Sequence, residues 1–341
     1  MSEPRTRRPS RSRFESEFPE DAVPAPEAAQ LQELRALLGA QAKNGLDEDG
    51  QPDSDPTLLR FIRARKGDMP GALKQYLDTK EWRRANDIGR FRRNAPGPHL
   101  RASPPAEGPH LLSSGGVEIL PQLRLMEPRQ HEGAWLYYGG PTVAFGHDKE
   151  GRPIHLQRTG VASLRMAEGF KFFSPNALDQ FVTAGHVWFQ ELQAARMEEA
   201  SLRLGRPVTK QVVIMDLSGL SFWPDPNGMA AFKEFTRISA RFYPETLAMQ
   251  FFVNAPAVFT NFWRVIKRWL DPDTVTKFHV LGRDFAPTLL QYIDASQLPV
   301  ALGGTNPLDL SLGLQSREEG ERLAASAREA LQASLQASHA G

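Results

Sequence analysis

The chain of 341 residues carries 41 Lys plus Arg against 40 Asp plus Glu, a formal net charge of +1, so no global field draws it to nucleic acid. With 40% hydrophobic and 24% charged residues, its composition is that of an ordinary folded protein, and its length predicts one large domain or two unequal ones between disordered ends. The absence of cysteine excludes disulfides, thiolate nucleophiles and cysteine-based zinc sites and fits a reducing compartment, so the expected location is cytoplasmic.

In chain order, MSEPRTRRPSRSRF lacks the apolar stretch of a signal peptide, and no run approaches the roughly 18 apolar residues of a membrane span. Glu3, Glu15 and Glu17 with Pro4 and Pro9 argue against a transit peptide. Residues 1–26, rich in Arg, Ser, Pro and Glu, predict a disordered tail that buries too little apolar surface to offset ordering entropy. Residues 27–91 predict a helical module. Leu31, Leu34, Leu37 and Leu38 recur at helical spacing before Gly39, and Asp55 with Pro56 supplies a cap and a first-turn proline to TLLRFIRARKG, which stops at Gly67. Pro70 opens a further helix with Leu73, Tyr76, Leu77 and Trp82 on its apolar stripe. Residues 92–134, rich in Pro, Gly, Ser and His without periodicity, read as a long connector.

From 135 to 310 short apolar runs alternate with helical stretches. The expected strands are Ile154–Gln157, Gln211–Leu217, Gln250–Asn254 and Val275–Leu281, and the central ones are nearly continuous apolar, as strands buried on both faces are. Helices are expected near 176–204, 226–241, 256–270 and 285–293. This βαβ alternation predicts an α/β domain with a mainly parallel sheet, whose strand order the pattern does not fix. Residues 311–341 read as a helical or flexible tail.

A flanked sheet invites a search for catalysis. No G-x-G-x-x-G or G-x-x-x-x-G-K-[ST] run is present, and Ser218 has Asp216 and Leu220 where a nucleophile elbow has glycines. The histidines form no H-x-x-x-H pair, so no metal is expected. Asp216, at the end of a buried run, fits a turn cap better than a general base. No catalytic residue is assigned, and the chain is not expected to be an enzyme.

The segment DPTLLRFIRARKGDMPGALKQYLDTKEWRR resembles the N-terminal helical module of the CRAL-TRIO lipid-binding family. HDKEGRPIHLQ, VVIMDLSGL, RFYPETLAMQFFVNAPAVF, LDPDTVTKFHVLG and LPVALGG follow in that family's order, so the resemblance covers about residues 55–305. It implies an N-terminal helical module followed by a sheet flanked by helices around a lipid pocket. The motifs look most like the phosphatidylinositol transfer branch, which implies a protein that loads one phospholipid and exchanges or presents it at membranes. The headgroup site would then fall on Arg65, Lys66, Glu245, Thr274 and Lys277. The chemistry agrees, because a phosphodiester needs cationic donors and inositol hydroxyls need acceptors such as a carboxylate.

The resemblance also places a second-ligand pocket at His155, Gln211 and Val213. Related phosphatidylcholine sites have small hydroxyl residues and a tyrosine there, so weak phosphatidylcholine binding is expected and the second lipid is left open. The segment 256–270 matches the family's movable gate helix, with Phe259, Phe262, Trp263, Ile266 and Trp269 on one arc and Arg264, Lys267 and Arg268 opposite. Such a stripe also serves core packing, and both roles are compatible in a gate that closes over a pocket. The partners implied are phosphatidylinositol, a second lipid, membrane surfaces met transiently and lipid kinases, with the chain a monomer and no cofactor beyond bound phospholipid. The alternative is a CRAL-TRIO carrier of a sterol-like or isoprenoid ligand, for which Lys277 inside the pocket would have no use.

Overall fold

A computed structural model describes residues 25–39, 53–85, 142–172, 182–220 and 226–308, with a few single positions elsewhere. The expected N-terminal tail, the 92–134 connector, the start of the 176–204 helix and most of the 311–341 tail lie outside the described residues.

The first part is a helical bundle of α1 (Ala25–Gly39), α2 (Asp55–Ala64) and α3 (Met69–Ala85). Leu34, Leu58, Ile62 and Tyr76 are almost fully buried where the three helices meet, as the leucine spacing requires. Pro56 lies in the first turn of α2. The bundle docks on the rest of the chain: Trp82 stacks on Phe242 with ring centroids 3.9 Å apart, and the buried Gln75 side chain donates to the Ala240 and Arg241 carbonyls. Arg83 pairs with Glu191, which also accepts from the Tyr243 hydroxyl at 2.8 Å.

The second part holds a five-stranded sheet in sequential order. Its strands are β1 (Thr142–His147), β2 (Pro153–Gln157), β3 (Gln211–Asp216), β4 (Leu247–Val253) and β5 (Phe278–Val280). β1 runs antiparallel to β2 and every other pairing is parallel, so the sheet is mainly parallel as expected. Parallel strands in sequential order need the same right-handed crossover repeated, which puts the connecting helices on one face. Those helices are α4 (Thr159–Phe172), α5 (Ala184–Leu204), α6 (Pro226–Phe242) and α7 (Phe259–Ile266). Beyond β5, α9 (Ala286–Tyr292) covers the opposite face, after the short α8 (Pro272–Val275) between α7 and β5.

Side-chain alternation divides the core accordingly. Ile154, Leu156, Val212, Ile214 and Phe251 pack toward Leu289 of α9 and the segment beyond it. Val213, Met215 and Phe252 face Phe259 and Trp263 of α7. At the exit of β3 the chain is tightly confined: a Cβ on Gly160 would lie 1.9 Å from the Ser218 carbonyl oxygen, so only glycine fits there. Asp216 accepts at Oδ1 from the Ser218 amide and hydroxyl and from Asn254 Nδ2, a turn-capping role.

Several elements differ from expectation. β1 and α4 are elements that the sequence pattern does not signal. The Val275–Leu281 run forms a strand only at Phe278–Val280, because Asp271 caps α8 by accepting from the Asp273 amide and Pro272 takes its first turn. The expected 256–270 helix is only Phe259–Ile266 long, after which Lys267, Arg268 and Trp269 donate to carbonyls three or four residues back in a series of turns. Pro272 disfavours helical backbone at the residue before it and so sets a limit to that segment.

Candidate functional site: a polar-rimmed cavity

Between the one-sided helix layer and the sheet lies a cavity of about 840 Å³, within the roughly 300–1,000 Å³ range of small-molecule sites. Arg65, Lys66, Glu245, Thr274 and Lys277 all line it, although they come from three separate segments of the sequence.

The α2 terminus places the first two. Lys66 N–H donates to the Arg63 carbonyl and Gly67 N–H to the Ile62 carbonyl, each at 3.0 Å, which closes the helix in a Schellman motif. The left-handed position of that motif is filled by Lys66 at φ 52, where glycine is the usual residue. Glu245, just before β4, is likewise left-handed at φ 57. Strained backbone at two residues facing one cavity marks them as candidates for function. The Lys66 ammonium lies 2.7 Å from Asp273 and 3.8 Å from Asp271, and hydrogen bonding to Asp273 raises its pKa. Arg65 donates from Nε to Gln75 Oε1 at 2.8 Å, so its guanidinium is held against the bundle.

Also on the rim, Glu245 Oε2 lies 3.2 Å from Lys277 Nζ and 3.4 Å from Lys210 Nζ. Thr274 sits on α8, and its carbonyl accepts from the Lys277 amide, which fixes Lys277 relative to the turn. Arg63 also lines the cavity; it donates to Glu27 from Nε at 2.8 Å, and that bond lowers the Glu27 pKa. The rim therefore holds the carboxylates Glu245, Asp271 and Asp273 among several cations, a donor and acceptor set suited to a phosphate bearing hydroxyl groups. Lys210 and Arg63 escaped the sequence reading. Lys210 directly precedes β3 and meets Glu245 only because β3 and β4 are neighbours.

Gln211 and Val213 line the cavity too, as their alternation on β3 requires. His155 is not among the lining residues: it is fully buried with Phe189, itself a lining residue, at 3.8 Å between ring centroids. Burial and then the Arg196 charge pull the His155 pKa well below its ordinary value, so the ring is neutral.

Of the expected gate residues, Phe259 and Ile266 are buried and Trp263 is half-buried between Phe252 and Phe278. Trp269 lines the cavity yet is 39% exposed, and Val265 is 44% exposed. The side chain of Phe262 lies outside what the structure describes. Arg264, Lys267 and Arg268 are exposed beside these apolar groups. Among the described residues no helix is long and apolar enough to cross a membrane, and no cluster of metal-ligating side chains occurs.

Comparison with known proteins agrees with this architecture. The CRAL/TRIO domain model matches residues 137–304, and the CRAL/TRIO N-terminal domain model matches residues 30–78. The SEC14 cytosolic factor of Yarrowia lipolytica is 27% identical over 267 residues, which is 78% of this chain and 46% of that protein. The phosphatidylinositol/phosphatidylcholine transfer protein SFH9 of Arabidopsis thaliana is 27% identical over 254 residues, 74% of this chain and 37% of that one. The chain thus spans less than half the length of these two relatives, but it covers 78% of the SEC14 cytosolic factor of Eremothecium gossypii, at 27% identity over 287 residues. The crystal structure of Sfh5 shares the fold at a TM-score of 0.53 and 18% identity, over 88% of this chain and 96% of that one. With helical module and sheet domain matched in their order along the sequence, the chain belongs to the CRAL/TRIO family.

Proposed function

We propose that this protein binds phosphatidylinositol and exchanges or presents it at membranes, without covalent chemistry. The observation that carries the reading is the convergence of Arg65, Lys66, Glu245, Thr274 and Lys277 on the rim of one cavity. The apolar surface of Phe189, Val213, Met215 and Phe278 inside that cavity offers a place for acyl chains. The name of the plant relative, a phosphatidylinositol/phosphatidylcholine transfer protein, points the same way. In this reading the phosphate meets Lys66, Lys277 and Arg65, and Glu245 accepts from inositol hydroxyls.

Exchange requires a route out of the cavity. The α7 segment supplies it as a gate, with Trp269 and Val265 entering the headgroup boundary and Arg264, Lys267 and Arg268 meeting anionic lipid. The protein acts as a monomer in the cytoplasm, touches membranes transiently, and hands phosphatidylinositol to lipid kinases. The helical module of 27–91 and the domain of 135–310 work as one binding unit flanked by tails. Incubating purified protein with mixed liposomes and extracting its lipid tests the reading: one phosphatidylinositol per chain is expected, and its absence rejects the proposal.

A further inference from the structure

Charge around the cavity is not evenly balanced. Several of the cations that line it are matched by a carboxylate: Lys66 by Asp273, Lys74 by Asp78 at 2.8 Å, Lys277 by Glu245 at 3.2 Å and Arg63 by Glu27. Helix α6 is different. Its sequence, PNGMAAFKEFTRISARF, carries Lys233, Arg237 and Arg241 against the single acid Glu234. That acid is engaged within the helix, because Arg237 donates to its two oxygens at 2.8 and 2.6 Å. Among the described residues Lys233 and Arg241 pair with no carboxylate, and the Arg241 guanidinium lies 5.2 Å from the centre of the Phe242 ring.

Helix periodicity makes these charges a ridge. Residues four apart lie about 40° from one another round a helix, so positions 233, 237 and 241 share an arc of about 80°. Ala231, Glu234, Ile238 and Phe242 are turned to the core, Phe232, Phe235 and Ser239 line the cavity, and the three cations remain exposed. Arg237 and Arg241 border the cavity as well, so the ridge runs along its edge. Trp269 and Leu270, which follow α7, border the same cavity close to the exposed Val265, Arg264, Lys267 and Arg268. The exposed cations without a carboxylate therefore lie on two elements of one cavity, α6 and the α7 segment.

We propose that the α6 ridge is a second membrane-contacting surface, which meets the anionic face of a phospholipid bilayer and, with the α7 segment, holds the cavity against it. Charge complementarity supplies the attraction. A bilayer fits better than an acidic protein for two reasons. The ridge borders a cavity from which lipid has to pass, and a protein seated there would cover the way out. The half-exposed Val265 and Trp269 also add apolar groups of the kind that enter a lipid interface beside cations. The proposal rests on the lipid-exchange reading and gives α6 a part in docking, separate from headgroup binding.

The test uses the full chain and protein-free vesicles of phosphatidylcholine, with or without phosphatidylserine. Lys233→Gln with Arg241→Gln removes the two unpaired charges and leaves Arg237 on the buried Glu234. Vesicle binding is read by co-sedimentation, transfer by the movement of labelled phosphatidylinositol between vesicles, and equilibrium loading by lipid extraction. A basic residue near an anionic surface contributes about fivefold to binding, so the double variant should bind phosphatidylserine vesicles about 25-fold more weakly at low salt. The difference should shrink as salt rises. Transfer between those vesicles should slow, while binding to neutral vesicles and equilibrium phosphatidylinositol loading stay at the wild-type level. Exchanging the cations, as Lys233→Arg with Arg241→Lys, should keep wild-type binding. Where the double variant fails to fold, Lys233→Gln alone should show the fivefold step. Unchanged binding of a folded variant to phosphatidylserine vesicles overturns this proposal alone and leaves the ridge to an acidic protein, and an equal loss on neutral vesicles overturns it too. A wild type that loads no phosphatidylinositol overturns the exchange reading and this proposal with it.

Discussion

The Lys66 ammonium lies 2.7 Å from the Asp273 carboxylate, so the turn that ends α2 is tied across the cavity rim to the turn that begins α8. Both side chains are largely exposed, at 63% and 72%, and a pair of that kind adds little to stability. In the proposed binding mode its importance lies in competition, because a lipid phosphate would have to take Lys66 from Asp273. Asp273→Asn is therefore expected to leave Tm unchanged and to raise phosphatidylinositol loading a few-fold, with the gain shrinking as salt rises. Loading assays at two ionic strengths check this, and unchanged loading would remove Lys66 from the phosphate site.

Lys66 holds a backbone position suited to glycine, so stability and binding should separate there. Lys66→Gly relieves the left-handed strain of a residue with a Cβ and removes the cation. The expected result is an equal or higher Tm with weaker phosphatidylinositol loading. Calorimetry and lipid extraction on the same preparation measure both, and a variant that loads normally would reduce Lys66 to a helix terminator.

Lys277 is the more sheltered cation, 19% exposed and 3.2 Å from Glu245. A charge-assisted phosphate contact contributes about 1.5–3 kcal/mol, so Lys277→Ala should weaken phosphatidylinositol binding by about 10- to 150-fold. The fold should survive, since Lys210 remains 3.4 Å from Glu245. Circular dichroism with a vesicle transfer assay checks the pair of outcomes.

For the α7 segment, Trp269→Asp should slow transfer between vesicles more than it lowers the lipid already held, because Trp269 is part-exposed at the cavity edge. Each basic residue near an anionic surface contributes about 1 kcal/mol, so wild-type transfer should rise with anionic lipid and fall with salt. Salt-independent transfer together with an unfolded variant would make this segment fixed core.

Much of this was legible in the sequence, for identifiable reasons. β3 was visible because burial on both faces leaves an unbroken apolar run, and α2 because Asp55 and Pro56 mark its start. The same Asp-Pro signal at Asp271 and Pro272 stands just ahead of the run Val275–Leu281, whose strand-like end masks α8. β1 is an antiparallel edge carrying Gly146, and α4 contains Gly160 and Gly169, so neither shows a strong period. The rim residues were named from motif resemblance, and the structure gathers them at one cavity. The buried polar side chains of the cavity are only partly visible in the sequence: Gln211 stands out on its strand, but Gln190, His186 and Ser239 line the same cavity through helix packing.

The buried histidines make stability depend on pH. His186 titrates at about 3 in the fold, and His155 is also held well below its ordinary value, whereas both take up protons near about pH 6.5 once unfolded. The unfolded chain binds more protons in that window, so stability is complete above about pH 6.5 and falls as pH drops toward 3. The slope is at most about 1.4 kcal/mol per pH unit for each ring. Urea unfolding at about pH 7 and pH 5 measures it, and His186→Asn should flatten the curve.

The contacts of Gln75 carry a consequence for how this molecule comes apart. Its single carboxamide holds Arg65 on one side and two carbonyls at the end of α6 on the other, while Trp82 lies flat on Phe242 a few residues away. Melting of the three-helix bundle would strip those carbonyls of their donor and expose the Phe242 ring, so the two regions share one cooperative transition. A chain deprived of its first helices would lose the stiffness of the cavity mouth along with Arg63, Arg65 and Lys66, and native-state hydrogen exchange should show α3 and the end of α6 opening together.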